Sequence, residues 1–401
     1  AMSRQRPDAG LKSLRRRYDE SDMVPPSGPR GRPPRANRHT PPSNRTLPAR
    51  GCHYVGVSAI PVLLPVNQFD HFYRGGDRIG SLRGGPGGPQ RPEEWIGSTT
   101  TRFGHATQGL SILPDGSVLR DDVLARPLEW LGPAHVARYG TDVEVLVKFL
   151  DLGQRLPVHL HPNREFARRH LGLAHGKTEA WYVVDAPPGA RVGVGFAQAM
   201  PLSDVAALVA AHDSQALLDS LRTREVRPGD AMLVPAGLPH TVQEGVFVLE
   251  LQEPTDLSIL LEWQDFAVDG DRDGHLDLGF DVALQAVDTS AVTDADLDRL
   301  VMPREAIDRA GLTSALPAAA DAYFRAQHID TSASPVTVDA GFSVVVVLDG
   351  AGSITSADGI HPVSRGDVLL IPYSAGAWTA DGALTAVACR PPAPDAPEAV
   401  R

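Results

Sequence analysis

From Tyr54 onward the sequence runs as a series of short apolar stretches broken by Gly, Pro and Asp: VGVSAIPVLLPV, EWIGSTT, VEVLVKFLDLG, EAWYVVDAP, RVGVGF, AMLVPAG and VFVLELQEP. Stretches of this length, rich in Val and aromatic side chains and separated by turn formers, read as strands. Many short strands in close succession build an antiparallel sandwich or barrel, so the chain reads as mainly β. Helical spacing interrupts the pattern at 201–222, PLSDVAALVAAHDSQALLDSLR, behind the start signal Ser203 and Asp204. That segment is expected to be a small helical insertion between strands. A shorter helical stretch is expected over 123–140.

One pattern occurs twice. VRPGDAMLVPAGLPH, residues 226–240, and VSRGDVLLIPYSAGAW, residues 363–378, share a Gly-Asp turn and a later Pro, with Gly229, Asp230 and Pro235 matching Gly366, Asp367 and Pro372. Five residues beyond the Pro stands His240 in the first copy and Ala377 in the second. Aligning Asp349 with Asp185 puts Ser343 where the first copy has Glu179. Two similar β-units follow, of which only the first carries metal-binding side chains. The expected organisation is an arm over 1–50, a first unit over 51–265 and a second over 266–401.

The 401 residues exceed what one ordinary core accommodates, and the 42% apolar share suffices for more than one packed unit. The net charge of -11 conceals an asymmetry, because residues 1–50 hold 12 Lys or Arg against 4 acidic groups, a balance of +8 that leaves -19 elsewhere. The arm, rich in Pro and Arg, reads as disordered. The acidic remainder argues against nucleic-acid binding. No stretch approaches the roughly 20 apolar residues of a membrane span, and the first 50 residues lack the apolar segment of a signal peptide. The two cysteines, Cys52 and Cys389, are far apart without a CxxC partner, which suits a reducing cytoplasm.

Within LPVHLHPNREFARRHLGLAHGKTEAWYVVD, residues 156–185, His159 and His161 lie two apart, so on a strand both point to one face while Leu160 points to the other. Glu179 and the downstream His240 complete a candidate set of three nitrogens and one carboxylate oxygen. Such a set suits zinc, and it also suits manganese or ferrous iron. Lysine is nearly absent from the chain, with Lys12, Lys148 and Lys177 the only examples, so Lys177 two residues before Glu179 stands out.

The segments His159-Leu160-His161-Pro162-Asn163, Gly176 to Trp181, Pro235 to His240 and Gln252-Glu253-Pro254 resemble, in this order, the motif series of the class I mannose-6-phosphate isomerases, which are zinc-dependent cupins. RPEEWIGST, residues 91–99, resembles the family's early segment bordering the active site. The resemblance is good over roughly 60–290 and loose beyond. It implies two cupin-like jelly-roll units, the second degenerate and without a metal site, and ligands His161, Glu179 and His240.

Two departures matter. The family's fourth ligand is usually glutamine where this chain has His159. The family arginine about twenty residues past the last histidine is also missing, since the stretch reads TDLSILLEWQDF and the comparable positions are Ile259 and Leu260. Arg164 and Arg102 are candidate replacements. Moving a proton between C1 and C2 of a sugar requires a base and something positive beside the developing oxyanion. Lys177, Glu253 and Arg164 are the candidate catalytic residues, with Glu250 beside them. The expected activity is interconversion of mannose 6-phosphate and fructose 6-phosphate, with zinc ahead of manganese or iron. The alternatives are isomerisation of another or an unphosphorylated sugar, a cupin oxygenase, and a sugar-binding cupin without catalysis.

Overall fold

The repeated Gly-Asp segments fold into equivalent strand pairs. In the first copy Glu179–Asp185 pairs antiparallel with Ala231–Val234, Glu179 facing Val234. In the second, Ser343–Ser356 pairs with Val368–Ile371, Ser343 facing Ile371. The turns match as well: the Asp230 carboxylate accepts from the Arg227 N–H at 2.9 Å, and that of Asp367 from the Ser364 N–H at 2.8 Å. Ser343 therefore occupies the place of Glu179, as the alignment of the two copies predicts.

The structure is a computed structural model that describes residues 61–85 and 87–399. The expected arm over 1–50 and Cys52 lie outside the described residues. Three antiparallel sheets make up the fold. The central one has six strands, with Glu93–Ile96, Leu146–Asp151, Phe247–Gln252, Glu179–Asp185 and Ala231–Val234 side by side and Val301–Met302 at its edge. A five-stranded sheet contains His159–Leu160, His240–Val242 and Ile259–Leu260, together with Arg191–Phe196 and Leu221–Glu225. The third sheet has eight strands and holds the second copy of the repeat.

Two-residue alternation explains how these layers stack. Leu150, Trp181, Val183, Met232 and Val248 leave one face of the central sheet to meet Val192, Val194 and Val242 of the five-stranded sheet. Val147, Phe149, Tyr182, Leu249 and Leu251 leave the other face to meet Val344, Val346, Leu370 and Val387 of the eight-stranded sheet. The central sheet is thus buried on both sides, which accounts for runs such as VEVLVKFLD that show no polar face.

The described residues form one compact unit, and the sheets exchange strands across position 265. Val62–Leu63 joins the eight-stranded sheet beside Leu369 and Leu370, while Val301–Met302 joins the central sheet beside Ala231 and Met232. Cys389 is free and buried in this shared core.

The helical insertion is two helices, Leu202–Ala210 and Ser214–Ser220, and its last two residues already belong to the strand Leu221–Glu225. His212 breaks the run with φ 54°, and the Asp213 side chain caps the second helix by accepting from the Ala216 N–H. Val205, Val209 and Leu217 cover the outer face of the five-stranded sheet, against Leu160 and Ile259. The stretch over 123–140 likewise divides into short helices, with Pro127 and Pro133 starting Pro127–Trp130 and Pro133–Tyr139. Among the described residues, no helix is long and apolar enough to cross a membrane.

The two turn glycines make a test of the repeat. Both have left-handed backbones, Gly229 at φ 89° and Gly366 at φ 92°. A Cβ on Gly229 would meet the Cβ of Arg304 at 3.0 Å, whereas one on Gly366 would collide with the Leu82 carbonyl oxygen. Gly229→Ala should cost about 1–2 kcal/mol from backbone strain, and Gly366→Ala about 3 kcal/mol or more because an overlap adds to it. Urea denaturation of the two variants measures the difference.

Candidate metal centre and its cavity

The five-stranded sheet and the central sheet bring the predicted ligands together. His159 faces His240 across neighbouring strands, and Glu179 enters from the central sheet. His159, His161 and His240 each place one nitrogen within 4.8 Å of the others, in a group able to hold a metal ion. Glu179 closes the set, with its carboxylate oxygens 2.9 Å from His161 Nε2 and 3.4 Å from His240 Nε2. All four are buried.

Backbone carbonyls aim the imidazoles. Nδ1 of His159 lies 2.8 Å from the Pro157 oxygen, that of His161 2.7 Å from Leu257, and that of His240 2.9 Å from Leu238. With Nδ1–H donating outward, each Nε2 keeps its lone pair for the centre. His240 Nε2 is buried with no hydrogen-bond partner. Burial depresses the proton affinity of all three, to about 3 for His161 and His240, helped at His161 by the Lys177 charge. Burial pushes the Glu179 carboxyl up, but Lys177 and the histidines hold it well below the ordinary range. Three neutral imidazoles and one carboxylate are the protonation states a divalent ion requires, so the residues fit a resident metal. Lys177 Nζ lies 2.8 Å from both His161 Nε2 and Glu179 Oε2. One lone pair serves one partner, so this ammonium and a cation compete for His161.

The centre opens into a cavity of about 660 Å³. Lys148 and Glu250 line it, in a row on the central sheet in which Trp95, Lys148, Glu250 and Trp181 are cross-strand neighbours. Lys148 sits 4.4 Å from the centre of the Trp95 ring, 3.3 Å from Glu93 and 3.7 Å from Glu250. Glu93 also accepts from Tyr73 Oη at 2.5 Å and Trp95 Nε1 at 2.7 Å, and His71 lies 3.4 Å away. Burial would raise the Glu93 carboxyl, yet His71, Lys148 and these donors hold it far below its usual range. Glu250 has no such donors. Burial, reinforced by the Glu179 charge, pushes it up to about 8, and its Oε2 lacks a hydrogen-bond partner.

Arg164 and Glu253 fall elsewhere. They pair with each other and are absent from the residues lining the cavity. Glu253 Oε2 accepts from the Thr178 N–H at 2.8 Å, so this pair braces the strand that carries Lys177 and Glu179. Arg164 is thus spent on Glu253 and on Glu144 at 3.7 Å, whereas Arg102 does line the cavity. Leu260 lines it too, facing His159 across the strand pair, at the position where the family resemblance implies arginine. His175 is buried against Asp142 at 2.9 Å, with Glu253 at 3.8 Å.

Lys148 and Glu93 are the site residues that the strand pattern hides. Lys148 sits in the run VEVLVKFLD, where periodicity reports only a strand. Its signal is its rarity, as one of three lysines in the chain. Glu93 and Trp95 belong to the RPEEWIGST segment, which the resemblance had placed at the border of the site.

Three buried histidines and a carboxylate beside a cavity, in a mainly antiparallel β fold, make a candidate metal site in a cupin-like architecture. No family model matches the chain. It is 28% identical over 245 residues to the mannose-6-phosphate isomerase ManA of Bacillus subtilis, covering 61% of this chain and 73% of that one. It is 28% identical over 287 residues to the mannose-6-phosphate isomerase of Streptococcus mutans, covering 70% and 86%. Among solved structures, mannose 6-phosphate isomerase from Bacillus subtilis superposes with TM-score 0.65 at 21% identity, over 82% of this chain and 99% of that one. A lysine-to-alanine mutant of phosphomannose isomerase from Salmonella typhimurium superposes with TM-score 0.63 at 14% identity, over 83% and 100%. These similarities support the resemblance to the class I mannose-6-phosphate isomerases.

Two outcomes check this geometry. His240→Ala should leave the purified protein with well under one equivalent of divalent metal by elemental analysis, while His105→Ala retains it. The second concerns His175. Burial would lower its proton affinity, but Asp142 and Glu253 raise it to about 10. The folded state therefore holds a proton that the unfolded chain loses above about 6.5. This stabilisation is complete below that pH and disappears as pH rises through about 10. His175→Gln should cost about 3 kcal/mol at pH 6 and flatten the decline in stability between pH 6.5 and 10.

Proposed function

We propose that the protein is a divalent-metal-dependent aldose-ketose isomerase that interconverts mannose 6-phosphate and fructose 6-phosphate. The observation that carries this reading is the buried group of three histidines and one carboxylate at a cavity that is also lined by Glu250, whose Oε2 has no hydrogen-bond partner. A carboxylate placed there can take and return a proton. The names of the relatives in Bacillus subtilis and Streptococcus mutans point to the same sugar phosphate.

A divalent ion at His159, His161, Glu179 and His240 supplies Lewis-acid polarisation of sugar oxygens. Zinc suits this donor set first, and manganese or ferrous iron follow. Glu250 takes the proton from C2 of the aldose and delivers it to C1, while the O2 proton leaves and O1 gains one, which completes the ketose. Lys177 supplies positive charge beside the enediolate oxygens, since its ammonium already lies against Glu179. Arg164 and Glu253 act as positioning residues, holding Thr178 and through it the Lys177 to Glu179 segment. Lys148, stacked on Trp95, pairs with Glu93 and lies more loosely beside Glu250.

The test is turnover of mannose 6-phosphate by protein stripped with a chelator and reloaded with zinc, manganese or iron. Activity should vanish on stripping and return with at least one of these ions. Glu250→Gln should lower kcat by about 10²–10⁴-fold with metal content unchanged. Equal kcat in wild type and Glu250→Gln would remove this residue from the chemistry, and turnover of free mannose alone would replace the phosphate ester with an unphosphorylated substrate.

A further inference from the structure

Four cations line the cavity: Lys148, Lys177, Arg102 and Arg272. Three are neutralised by carboxylates. Lys148 is held between Glu93 and Glu250, and Lys177 lies on Glu179. Arg272 donates through Nε and Nη2 to the two oxygens of Asp273, at 2.8 and 2.6 Å, with Asp269 a further 3.9 Å away. Arg102 differs. Its hydrogen-bond partners are neutral, the Asp70 carbonyl at 3.1 Å and the Gln108 side-chain oxygen at 3.2 Å, and both are reached through Nη1. Among the described residues no carboxylate lies within ion-pair distance of it, so its charge and the remaining edge of its guanidinium are available.

The loop that carries it is fixed. The Arg102 N–H donates to the Gln108 carbonyl at 2.8 Å, the His105 N–H to the Arg102 carbonyl at 2.9 Å, and the Phe103 N–H to Asp256 at 3.0 Å. The guanidinium also stacks 6.0 Å from the Phe69 ring centre. The other segment at the cavity, 269–277, presents Asp269, Asp273 and Asp277, with Arg272 already paired among them. A phosphate dianion directed there meets net negative charge. Position 260, beside the metal centre, offers only an apolar Leu side chain.

We propose that Arg102 is the specificity residue that takes the phosphate group of the sugar, in place of a cation at position 260. The inference rests on the isomerase reading above and assigns the direction in which the substrate lies: reacting carbons toward Glu250 and the histidines, phosphate toward the 102–108 loop. A planar guanidinium with one edge occupied by neutral acceptors keeps the other for two phosphate oxygens.

The experiment compares wild type, Arg102→Gln and Arg102→Lys, all metal-loaded. One arm measures steady-state kinetics on mannose 6-phosphate and on free mannose; the other titrates inorganic phosphate into each protein by calorimetry. Loss of a charge-assisted bidentate contact should raise KM for mannose 6-phosphate about 30-fold in Arg102→Gln, with kcat and the rate on free mannose within about two-fold of wild type. Phosphate binding should weaken in parallel, and Arg102→Lys should recover part of both. Equal losses on the two sugars, or unchanged phosphate binding in Arg102→Gln, would overturn the proposal. If wild type turns over neither sugar, the isomerase reading fails by itself, and the phosphate titration still decides the role of Arg102.

Discussion

Burial of the central sheet on both faces is the constraint from which the site follows. A charged side chain on such a sheet is largely withdrawn from bulk water and must find most of its partners within the fold. Lys148, Glu93, Glu250 and Glu179 are all buried, and they stand on neighbouring strands of one face. Their mutual distances assign their roles. Glu93 collects four polar neighbours and is pinned as an anion, whereas Glu250 has Lys148 only at 3.7 Å and becomes the weak acid. Two carboxylates a few ångströms apart thus differ because one is solvated by the protein and the other is not.

The opposite face of the same sheet explains what the second β-unit contributes. Val147, Phe149, Tyr182 and Leu249 need an apolar partner, and Val344, Val346 and Leu370 supply it. Where the first copy carries Glu179 and His240, the second has Ser343 and Ala377, so it keeps the turn and strand geometry and contributes a packing surface. The strand exchange at Val62–Leu63 and Val301–Met302 ties the two copies together further.

Much of this was legible in the residues. The alternation at His159 and His161, the Gly-Asp repeat and the ordered motifs pointed to the grouped histidines, the duplicated strand pairs and the resemblance to the isomerases. Less legible were the partners of individual charged groups. Glu253 and Glu250 lie three residues apart near the end of one strand, and nothing in their spacing says that Glu253 meets Arg164 and Thr178 while Glu250 faces the cavity. His175 likewise follows a loop-like sequence, yet Asp142 and Glu144, over thirty residues earlier, bury it.

Sequence by itself determined which atoms could bind a metal and which faces of the strands carry them, because the two-residue period of a strand is a local property of the backbone. It also determined the repeat, since a Gly-Asp turn declares itself within a few residues. Only the tertiary structure decided which acid faces the cavity, that Arg164 is committed behind the site, and that Arg102 remains uncompensated at the cavity. Those outcomes depend on Coulomb interactions and burial between segments distant in the chain, and a side chain's proton affinity is set by what surrounds it in space.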